Sequence, residues 1–167
     1  MTGWVLLIRH GSAGSRRKWQ GPDALRPLDK KGRRQAESLS AALQDSLGVS
    51  GGEIGRILSS PYVRCVETVE PLAHSIRVDV RKEAALAEGH EDEAAEVFWS
   101  AVRRSGSSAA PSTALCTHGD IVPFLLDLVA EEGVDLGPAP RYPKGSVWAF
   151  EVRESALVAA RYVAPPD

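Results

Sequence analysis

Short apolar segments that suit buried strands alternate along this chain with segments that have the period of an amphipathic helix. The first, Val5 to Ile8, is wholly apolar, which is typical of a central strand covered on both faces. This alternation favours an α/β fold, namely a three-layer α/β/α sandwich with a mostly parallel central sheet. The last two strand-like segments, 147–152 and 157–163, follow each other directly and predict a C-terminal antiparallel hairpin.

The remaining elements are predicted from apolar spacing and from residues that start or stop helices. Further strands are predicted at residues 54–58, 76–80 and 113–117. Helices are predicted from the N-cap Asp29 to Leu47, from Ser60-Pro61 to about residue 74, at 91–103 and at 121–131. Residues 105–112 are small and polar and predict a surface loop. The part after that loop is too short to fold alone, so we expect one domain over residues 1–167.

The composition excludes several classes of protein. A chain of 167 residues with 43% hydrophobic and 25% charged residues is typical of a soluble globular domain. No apolar segment approaches the roughly 20 residues of a membrane helix, and the first residues lack the basic region of a signal peptide. Cys65 and Cys116 match no metal or redox spacing, so we expect free thiols and a cytoplasmic protein. Nothing in the sequence indicates the oligomeric state.

Positive charge is concentrated in one segment. Residues 9–34 contain nine Arg or Lys and two Asp, whereas the whole chain has a net charge of −2. A basic segment in an acidic protein indicates a place where an anion is received, although a solvated loop and helix face would have the same composition. The net negative charge argues against a specific nucleic-acid partner, because such partners are bound largely through their phosphates.

Three predicted strands end in polar residues that could form one site. These ends are Arg9-His10-Gly11, Ser59-Ser60-Pro61 with Arg64 one turn later, and Thr117-His118-Gly119. Ligands of open α/β sheets bind outside the carboxyl ends of the strands, so these groups are expected to converge. Two arginines and two histidines would bind a tetrahedral phosphate dianion, and a neutral imidazole is a competent nucleophile toward phosphorus.

These motifs resemble those of the histidine phosphatase superfamily. Arg9-His10-Gly11 resembles its signature triplet, Ser59 to Thr68 is similar to its second arginine motif, and His118-Gly119 is similar to its second histidine motif. Arg26-Pro27-Leu28 is similar to the segment that follows the triplet. The blocks occur in the order of the family and cover the chain from residue 4 to about 152. The resemblance implies a phosphoglycerate mutase-like fold over the whole domain.

Within the superfamily, this chain is most similar to the compact SixA-type phosphohistidine phosphatases, because it is too short for the long insertions of other branches. Residues 10–15, 25–29 and 68–72 resemble still more closely the phosphatase-like domain of actinobacterial MutT-type Nudix fusions. By resemblance, His10 becomes phosphorylated, while Arg9, Arg64 and His118 bind the phosphoryl oxygens. Glu88 is similar in position to the residue that serves as general acid and base.

Other residues are weaker candidates. Arg16 and Arg26 are candidates for binding the distal part of the substrate, and His90 is the second candidate for the acid. No cofactor or metal is implied. A zinc site made by His10, His118 and Glu88 is an alternative that the neighbouring arginines disfavour, because they would repel a cation.

The predicted function is a metal-independent phosphatase that works through a phosphohistidine intermediate. Its substrate is predicted to be a phosphohistidine protein or a small phosphate ester. Two alternatives stay open. One is a non-catalytic module on the same fold that binds phosphate or a phosphoprotein, and the other is a nucleotide phosphatase that works beside a separate Nudix hydrolase.

Overall fold

A mixed β-sheet organises the chain in the computed structural model, which describes residues 2–106 and 111–167. Its six strands are β1 (Gly3–Arg9), β2 (Ile54–Ser59), β3 (Val80–Lys82), β4 (Ser112–Thr117), β5 (Val147–Arg153) and β6 (Ala156–Val163). The α-helices are α1 (Lys30–Leu47), α2 (Val63–Ile76), α3 (Glu91–Ser105) and α4 (Ile121–Glu131). Short 3-10 helices lie at Asp23–Leu25, Gly51–Glu53 and Ala84–Leu86.

The order of the strands brings three carboxyl ends together. The sheet runs β3-β2-β4-β1-β5-β6. The first four strands in this order are parallel, whereas β5 is antiparallel to β1 and to β6. This confirms the predicted parallel sheet with a C-terminal antiparallel hairpin. Because β4 lies between β1 and β2, Arg9 is opposite Thr117 and Ser59 is opposite Cys116.

Helices cover both faces of the sheet, and alternate residues of β1 contact the two layers. Leu6 and Ile8 are buried in the same cluster as residues of α1 and α2, such as Leu43 and Val69. Val5 and Leu7 are buried in a second cluster with residues of α3 and α4, such as Phe98 and Leu125. Both faces of the strand are therefore apolar, as its sequence requires. The predicted three-layer α/β/α architecture is confirmed.

The ends of α1 follow the predicted capping. Asp29 is the N-cap, and its side chain accepts a hydrogen bond from the Gly32 N–H at 2.8 Å. Gly48 ends the helix with a φ of 67°, a conformation that glycine adopts without steric cost. The N-cap at Asp29 ends the segment between β1 and α1, which contains the basic residues Arg16, Arg17, Lys18 and Arg26.

Two predicted boundaries around α2 are wrong. The helix begins at Val63 with Tyr62 as N-cap, and the predicted cap Ser60 instead places its hydroxyl 2.8 Å from His118 Nε2. The strand predicted at 76–80 is β3, and it starts only at Val80, because α2 continues to Ile76. The alternating Ile76, Val78 and Val80 all pack against one apolar cluster, but from a helix end, a turn and a short strand.

The other boundaries agree with the predictions within two residues, and α4 matches the predicted range of 121–131. Of the predicted loop at 105–112, Ser105 ends α3 and Ser112 begins β4, while residues 107–110 lie outside the described residues. No helix in the described part of the chain is both long and apolar enough to span a membrane.

Candidate active site

His10 lies directly after β1, and contacts from two other elements, β4 and α2, fix it. Its backbone N–H donates to the Thr117 carbonyl at 3.1 Å, which ties it to the end of β4. The N–H of Gly11 donates to the Thr68 hydroxyl at 3.0 Å, and that hydroxyl donates to the Arg64 carbonyl at 2.6 Å. The backbone around His10 is therefore held in register with α2, which carries Arg64.

The hydrogen bonds of the His10 ring define its tautomer. Nδ1 lies 2.8 Å from the Gly11 carbonyl oxygen, which can only accept a hydrogen bond, so Nδ1 carries the proton. Nε2 is then unprotonated and accepts a long hydrogen bond from Arg64 Nε at 3.4 Å. When the N–H of one ring nitrogen donates to a backbone carbonyl, the other nitrogen keeps an unprotonated lone pair that can act as a nucleophile.

Arg64 is completely buried, and its guanidinium group joins three parts of the site. Nη1 donates to the Asp23 carbonyl at 2.9 Å, and Nη2 donates to Asp23 Oδ2 at 3.0 Å and to Glu88 Oε1 at 2.8 Å. The guanidinium carbon also lies 4.9 Å from the centre of the Tyr62 ring. A buried arginine requires such compensation, because removing a charge from water costs several kcal/mol.

His118 follows β4 and lies edge-to-face with His10, with ring centres 5.4 Å apart. Its Nδ1 is 3.4 Å from Glu88 Oε1, and its Nε2 is 2.8 Å from the Ser60 hydroxyl. The carboxylate near Nδ1 favours a proton on that nitrogen electrostatically, and we assign this tautomer, in which the Ser60 hydroxyl donates to Nε2. The same hydroxyl oxygen accepts from the Tyr62 N–H at 3.3 Å.

Both histidines are neutral over a wide range of pH. Burial lowers the pKa of His10 to about 3, and the nearby charges of Arg64, Arg9 and Lys144 act in the same direction. Burial likewise lowers the pKa of His118 to about 2, together with the neighbouring His10 and Arg64. Above these values neither ring carries a second proton, so at neutral pH His10 can act as a nucleophile through Nε2 and His118 as a neutral hydrogen-bond donor.

Glu88 lies in the segment between β3 and α3, which is attached to β4 and to the segment before α4. The Thr117 hydroxyl donates to the Leu86 carbonyl at 2.6 Å, and the Gly89 N–H donates to Asp120 Oδ2 at 2.8 Å. Glu88 Oε1 accepts from Arg64 and also from Arg16 Nη2 at 2.9 Å. These contacts hold the carboxylate at the mouth of the cavity described below.

Asp23 is a second carboxylate of the site, and it was not predicted. Its Oδ2 lies 3.0 Å from Arg64 Nη2 and 3.4 Å from Arg16 Nη2, while its Oδ1 accepts from Arg26 Nε at 2.9 Å. Although burial alone would raise it, the ion pairs with Arg26, Arg64 and Arg16 hold the pKa of Asp23 below its usual value. One sequence signal was available: Asp23 is three residues before Arg26 within a basic segment.

A cavity of about 420 Å³ opens at these strand ends. Ten residues line it: Arg9, His10, Gly14, Arg16, Arg26, Arg64, Glu88, Gly119, Asp120 and Lys144. The structure thus brings together the predicted Arg9, His10, Arg16, Arg26, Arg64 and Glu88. His118 is not one of the ten, but its Nδ1 contacts Glu88. Lys144 and Asp120 were missed, because they belong to no motif.

Arg9 lies close to the turn after His118. Its Nη1 donates to the Tyr142 carbonyl at 2.9 Å. A Cβ atom at position 119 would lie 2.6 Å from Arg9 Nη2, so only glycine allows the guanidinium group this close to the backbone. The predicted pair His118-Gly119 therefore has a steric reason as well as a chemical one.

The weaker candidates differ in their position relative to the cavity: Arg16 and Arg26 line it, whereas His90 does not. Arg26 is buried and its Nη1 donates to the Ala13 carbonyl at 2.6 Å, so it braces the segment between β1 and α1. The Arg16 side chain is 60% exposed and contacts Asp23 and Glu88. His90, the second candidate for the acid, is the N-cap of α3, lies 3.9 Å from Glu93 and does not line the cavity.

The alternative of a zinc site finds no support in the arrangement of these groups. Within residues 2–106 and 111–167, no group of three or more His, Cys, Asp or Glu side chains is placed to hold a metal ion. His10 and His118 instead use their ring nitrogens on the carbonyl, hydroxyl, carboxylate and guanidinium groups described above.

Comparison with known proteins decides the family. The model of the histidine phosphatase superfamily (branch 1) matches residues 5–106. This chain belongs to the histidine phosphatase superfamily. The predicted family and enzyme class, a histidine phosphatase, are thereby confirmed.

One curated member of known activity is similar over nearly the whole chain. The 8-oxo-(d)GTP phosphatase of Mycolicibacterium smegmatis is 35% identical over 168 residues, which is 98% of this chain and 48% of the relative. The chain therefore spans about half the length of the curated relative that it matches.

Solved structures of a phosphatase and of a mutase share the fold. The protein histidine phosphatase SixA, complexed with tungstate, has a TM-score of 0.70 at 20% identity, and the match covers 97% of both chains. Phosphoglycerate mutase from Plasmodium falciparum has a TM-score of 0.65 at 16% identity, with 98% of this chain and 89% of that chain covered. At these identities the likeness establishes the phosphoglycerate mutase-like fold alone.

Proposed function

We propose that this histidine phosphatase domain, residues 1–167, hydrolyses phosphate compounds through a phosphohistidine formed at His10 Nε2. The observation that carries the proposal is the fixed tautomer of His10, whose unprotonated Nε2 lies 3.4 Å from Arg64 Nε. A phosphoryl group bound by Arg64 would lie next to this lone pair. His118 and Arg9 supply further donors at the same strand ends.

The first step transfers the phosphoryl group to the enzyme. The Nε2 lone pair forms the N–P bond while the bond from phosphorus to the leaving group breaks. Glu88, in its protonated form, gives its proton to the leaving group. The free carboxylate is paired with Arg64 and Arg16. A phosphoryl dianion bound by Arg64 would take the place of this carboxylate on the guanidinium group.

The second step returns the enzyme to its starting state. Glu88, now a carboxylate, takes a proton from a water molecule whose oxygen attacks phosphorus. The N–P bond breaks, its electron pair returns to Nε2 and phosphate is released. Arg9, Arg64 and His118 stabilise the charge on the transferring group in both steps, and such positioning accounts for most of the catalysis of phosphoryl transfer.

The substrate proposed first is a phosphohistidine protein or a small phosphate ester. The alternative of a nucleotide phosphatase is favoured by one observation, because the curated relative acts on 8-oxo-(d)GTP. The alternative of a binding module without turnover does not use the free Nε2 lone pair. We also propose a cytoplasmic location, which the free thiols of Cys65 and Cys116 support.

We expect activity to survive chelation of metals and to be blocked by tetrahedral oxyanions. The proposed donors are guanidinium and imidazole groups, which need no divalent ion and bind oxyanions directly. Hydrolysis of an aryl phosphate would be measured after dialysis against EDTA and then with increasing tungstate or vanadate. Competitive inhibition by the oxyanion is expected. Loss of activity with EDTA that Zn²⁺ or Mg²⁺ restores would contradict the proposed mechanism.

We expect Ser60→Ala to lower kcat about 10-fold or more by freeing the tautomer of His118. The Ser60 hydroxyl donates to His118 Nε2, so its loss allows the proton to move from Nδ1 to Nε2. The readout that a merely structural role would not move is the ¹⁵N chemical shift of the two ring nitrogens, which reports the tautomer.

Ser59→Ala is the matched control for this experiment. Ser59 is equally buried, but its hydroxyl donates to the Ser60 carbonyl at 2.9 Å and not to a histidine. It should leave the His118 tautomer unchanged. Identical ring shifts and kcat in Ser60→Ala and wild type would show that another group fixes His118.

A further inference from the structure

The cavity is lined almost entirely by charged groups. Eight of the ten lining residues have ionisable side chains, and the other two are glycines. Among the described residues, no aliphatic side chain and no Phe, Trp or Tyr side chain contributes to this lining. Binding sites for small molecules are usually mostly apolar, with a few placed polar groups. The part of a substrate that enters this cavity is therefore hydrophilic.

The cations of the cavity are not equally compensated. Arg64 and Arg16 are paired with Asp23 and Glu88, and Arg26 is paired with Asp23. By contrast, no carboxylate of the described residues lies within ion-pair distance of the Lys144 ammonium group or of the Arg9 guanidinium group. Because Arg9 is proposed to bind the transferred phosphoryl group, Lys144 is the cation of the cavity that is left without an ion-pair partner.

The backbone of Lys144 is fixed beside His10. The N–H of the next residue, Gly145, donates to the carbonyls of Arg9 and His10 at 3.1 and 3.0 Å. The side-chain amide of Gln35 donates to the Lys144 carbonyl at 3.3 Å. Burial, which partly dehydrates the ammonium group, and the neighbouring Arg9, Arg26 and Arg64 lower the pKa of Lys144, while Asp29 acts in the opposite direction. Such a group gains more from an anionic ligand than an exposed lysine does.

We propose that Lys144 binds a second anionic group of the substrate, next to the phosphoryl group that is transferred. The transferred phosphoryl group is matched by Arg9, Arg64 and His118, which leaves the charge of Lys144 without a partner in a monoester of a neutral alcohol. The favoured substrates are small phosphate compounds with a neighbouring carboxylate or second phosphoryl group. This inference rests on the proposed function, since it assumes that His10 receives the phosphoryl group in this cavity.

Three substrates that differ in the second group test the inference. Phenyl phosphate has none, phosphoglycolate has a carboxylate and pyrophosphate has a second phosphoryl group. Relative to wild type, Lys144→Met should lower kcat/KM for the last two about 10- to 100-fold more than for phenyl phosphate, mainly through KM. Lys144→Arg keeps the charge and should recover most of the loss. Lys31→Met removes an exposed lysine of α1 outside the cavity and is the matched control.

For each substrate, kcat/KM of the variant is divided by kcat/KM of wild type. Differences between substrates in leaving-group chemistry cancel in this ratio, so it reports the effect on binding. A selective loss for one of the two anionic substrates supports the inference and identifies the group that is bound. Equal losses for all three substrates overturn it, because Lys144 would then act on the transferred phosphoryl group. An absence of loss for all three also overturns it.

The proposed function can fail independently. If wild type hydrolyses none of the three substrates, calorimetry with phosphoglycolate, pyrophosphate and inorganic phosphate still tests Lys144. Tighter binding of the first two than of phosphate, lost in Lys144→Met, supports the second anion position. Equal affinities of wild type and Lys144→Met for all three ligands overturn it.

Discussion

His10→Ala is expected to lower the hydrolysis of an aryl phosphate by at least about 10⁴-fold, because removal of a covalent nucleophile leaves only binding and charge stabilisation. His118, the other histidine of the site, is not placed to replace it, because its Nδ1 faces Glu88 and its Nε2 lies against Ser60. The measurement is kcat for purified wild type and variant with the same substrate. Thermal unfolding of both proteins controls for the fold.

The covalent intermediate has its own measurement. Rapid quench into alkaline SDS should trap ³²P on His10 in wild type, and the label should be stable to base and lost on later treatment with acid. His118→Ala should retain a slowly formed label, because it removes a donor and not the nucleophile. Undiminished turnover in His10→Ala, or label on another residue, would contradict the covalent role of His10.

Glu88→Gln is expected to lower kcat/KM for alkyl phosphates about 10²- to 10⁴-fold, and to lower it much less for aryl phosphates or phosphohistidine. Alkoxide is a poor leaving group and needs the proton of Glu88, whereas phenolate and imidazole leave more easily. The ratio kcat/KM reports the first irreversible step, so it isolates the effect on the leaving group. The measurement is kcat/KM across esters with leaving groups of increasing pKa.

Asp23→Asn is the matched control for Glu88→Gln. Both variants remove a carboxylate charge from Arg64 Nη2 and from Arg16 Nη2. Glu88 lines the cavity, whereas Asp23 does not. Asp23→Asn should therefore affect alkyl and aryl substrates equally. The opposite result would be that Asp23→Asn shows the dependence on the leaving group and Glu88→Gln does not. Asp23 would then be the acid, in place of Glu88 and ahead of His90.

The fold could largely be predicted because its local signals agree. The apolar segment of β1 is covered on both faces, and Asp29 and Gly48 mark the ends of α1. The prediction of secondary structure failed where the same sequence pattern is compatible with a strand and with the end of a helix. Ile76, Val78 and Val80 alternate like a strand, but only the packing of α2 shows that Ile76 belongs to the helix. Ser60 has the sequence of a cap, but its hydroxyl contacts His118.

The site could be predicted as far as its residues belong to motifs at strand ends. Arg9, His10, Arg64 and His118 lie together because β1, β2 and β4 are neighbours in the sheet. Asp23 and Lys144 come from segments without a pattern, 41 residues before Arg64 and 80 residues after it in the sequence. Their positions depend on tertiary contacts, such as the bonds of Gly145 to the Arg9 and His10 carbonyls.

Arg64 lies between two carboxylates, so the affinity of the site for an anion is thermodynamically linked to the attachment of the two segments that carry them. Asp23 belongs to the segment before α1 and Glu88 to the segment before α3, and both are attached to α2 through one guanidinium group. A phosphoryl oxygen that accepts a hydrogen bond from Arg64 Nη2 must compete with Asp23 Oδ2 and Glu88 Oε1 for that nitrogen. The free energy that holds the two segments on Arg64 is therefore subtracted from anion binding, and the bound anion weakens the attachment of both segments by the same amount.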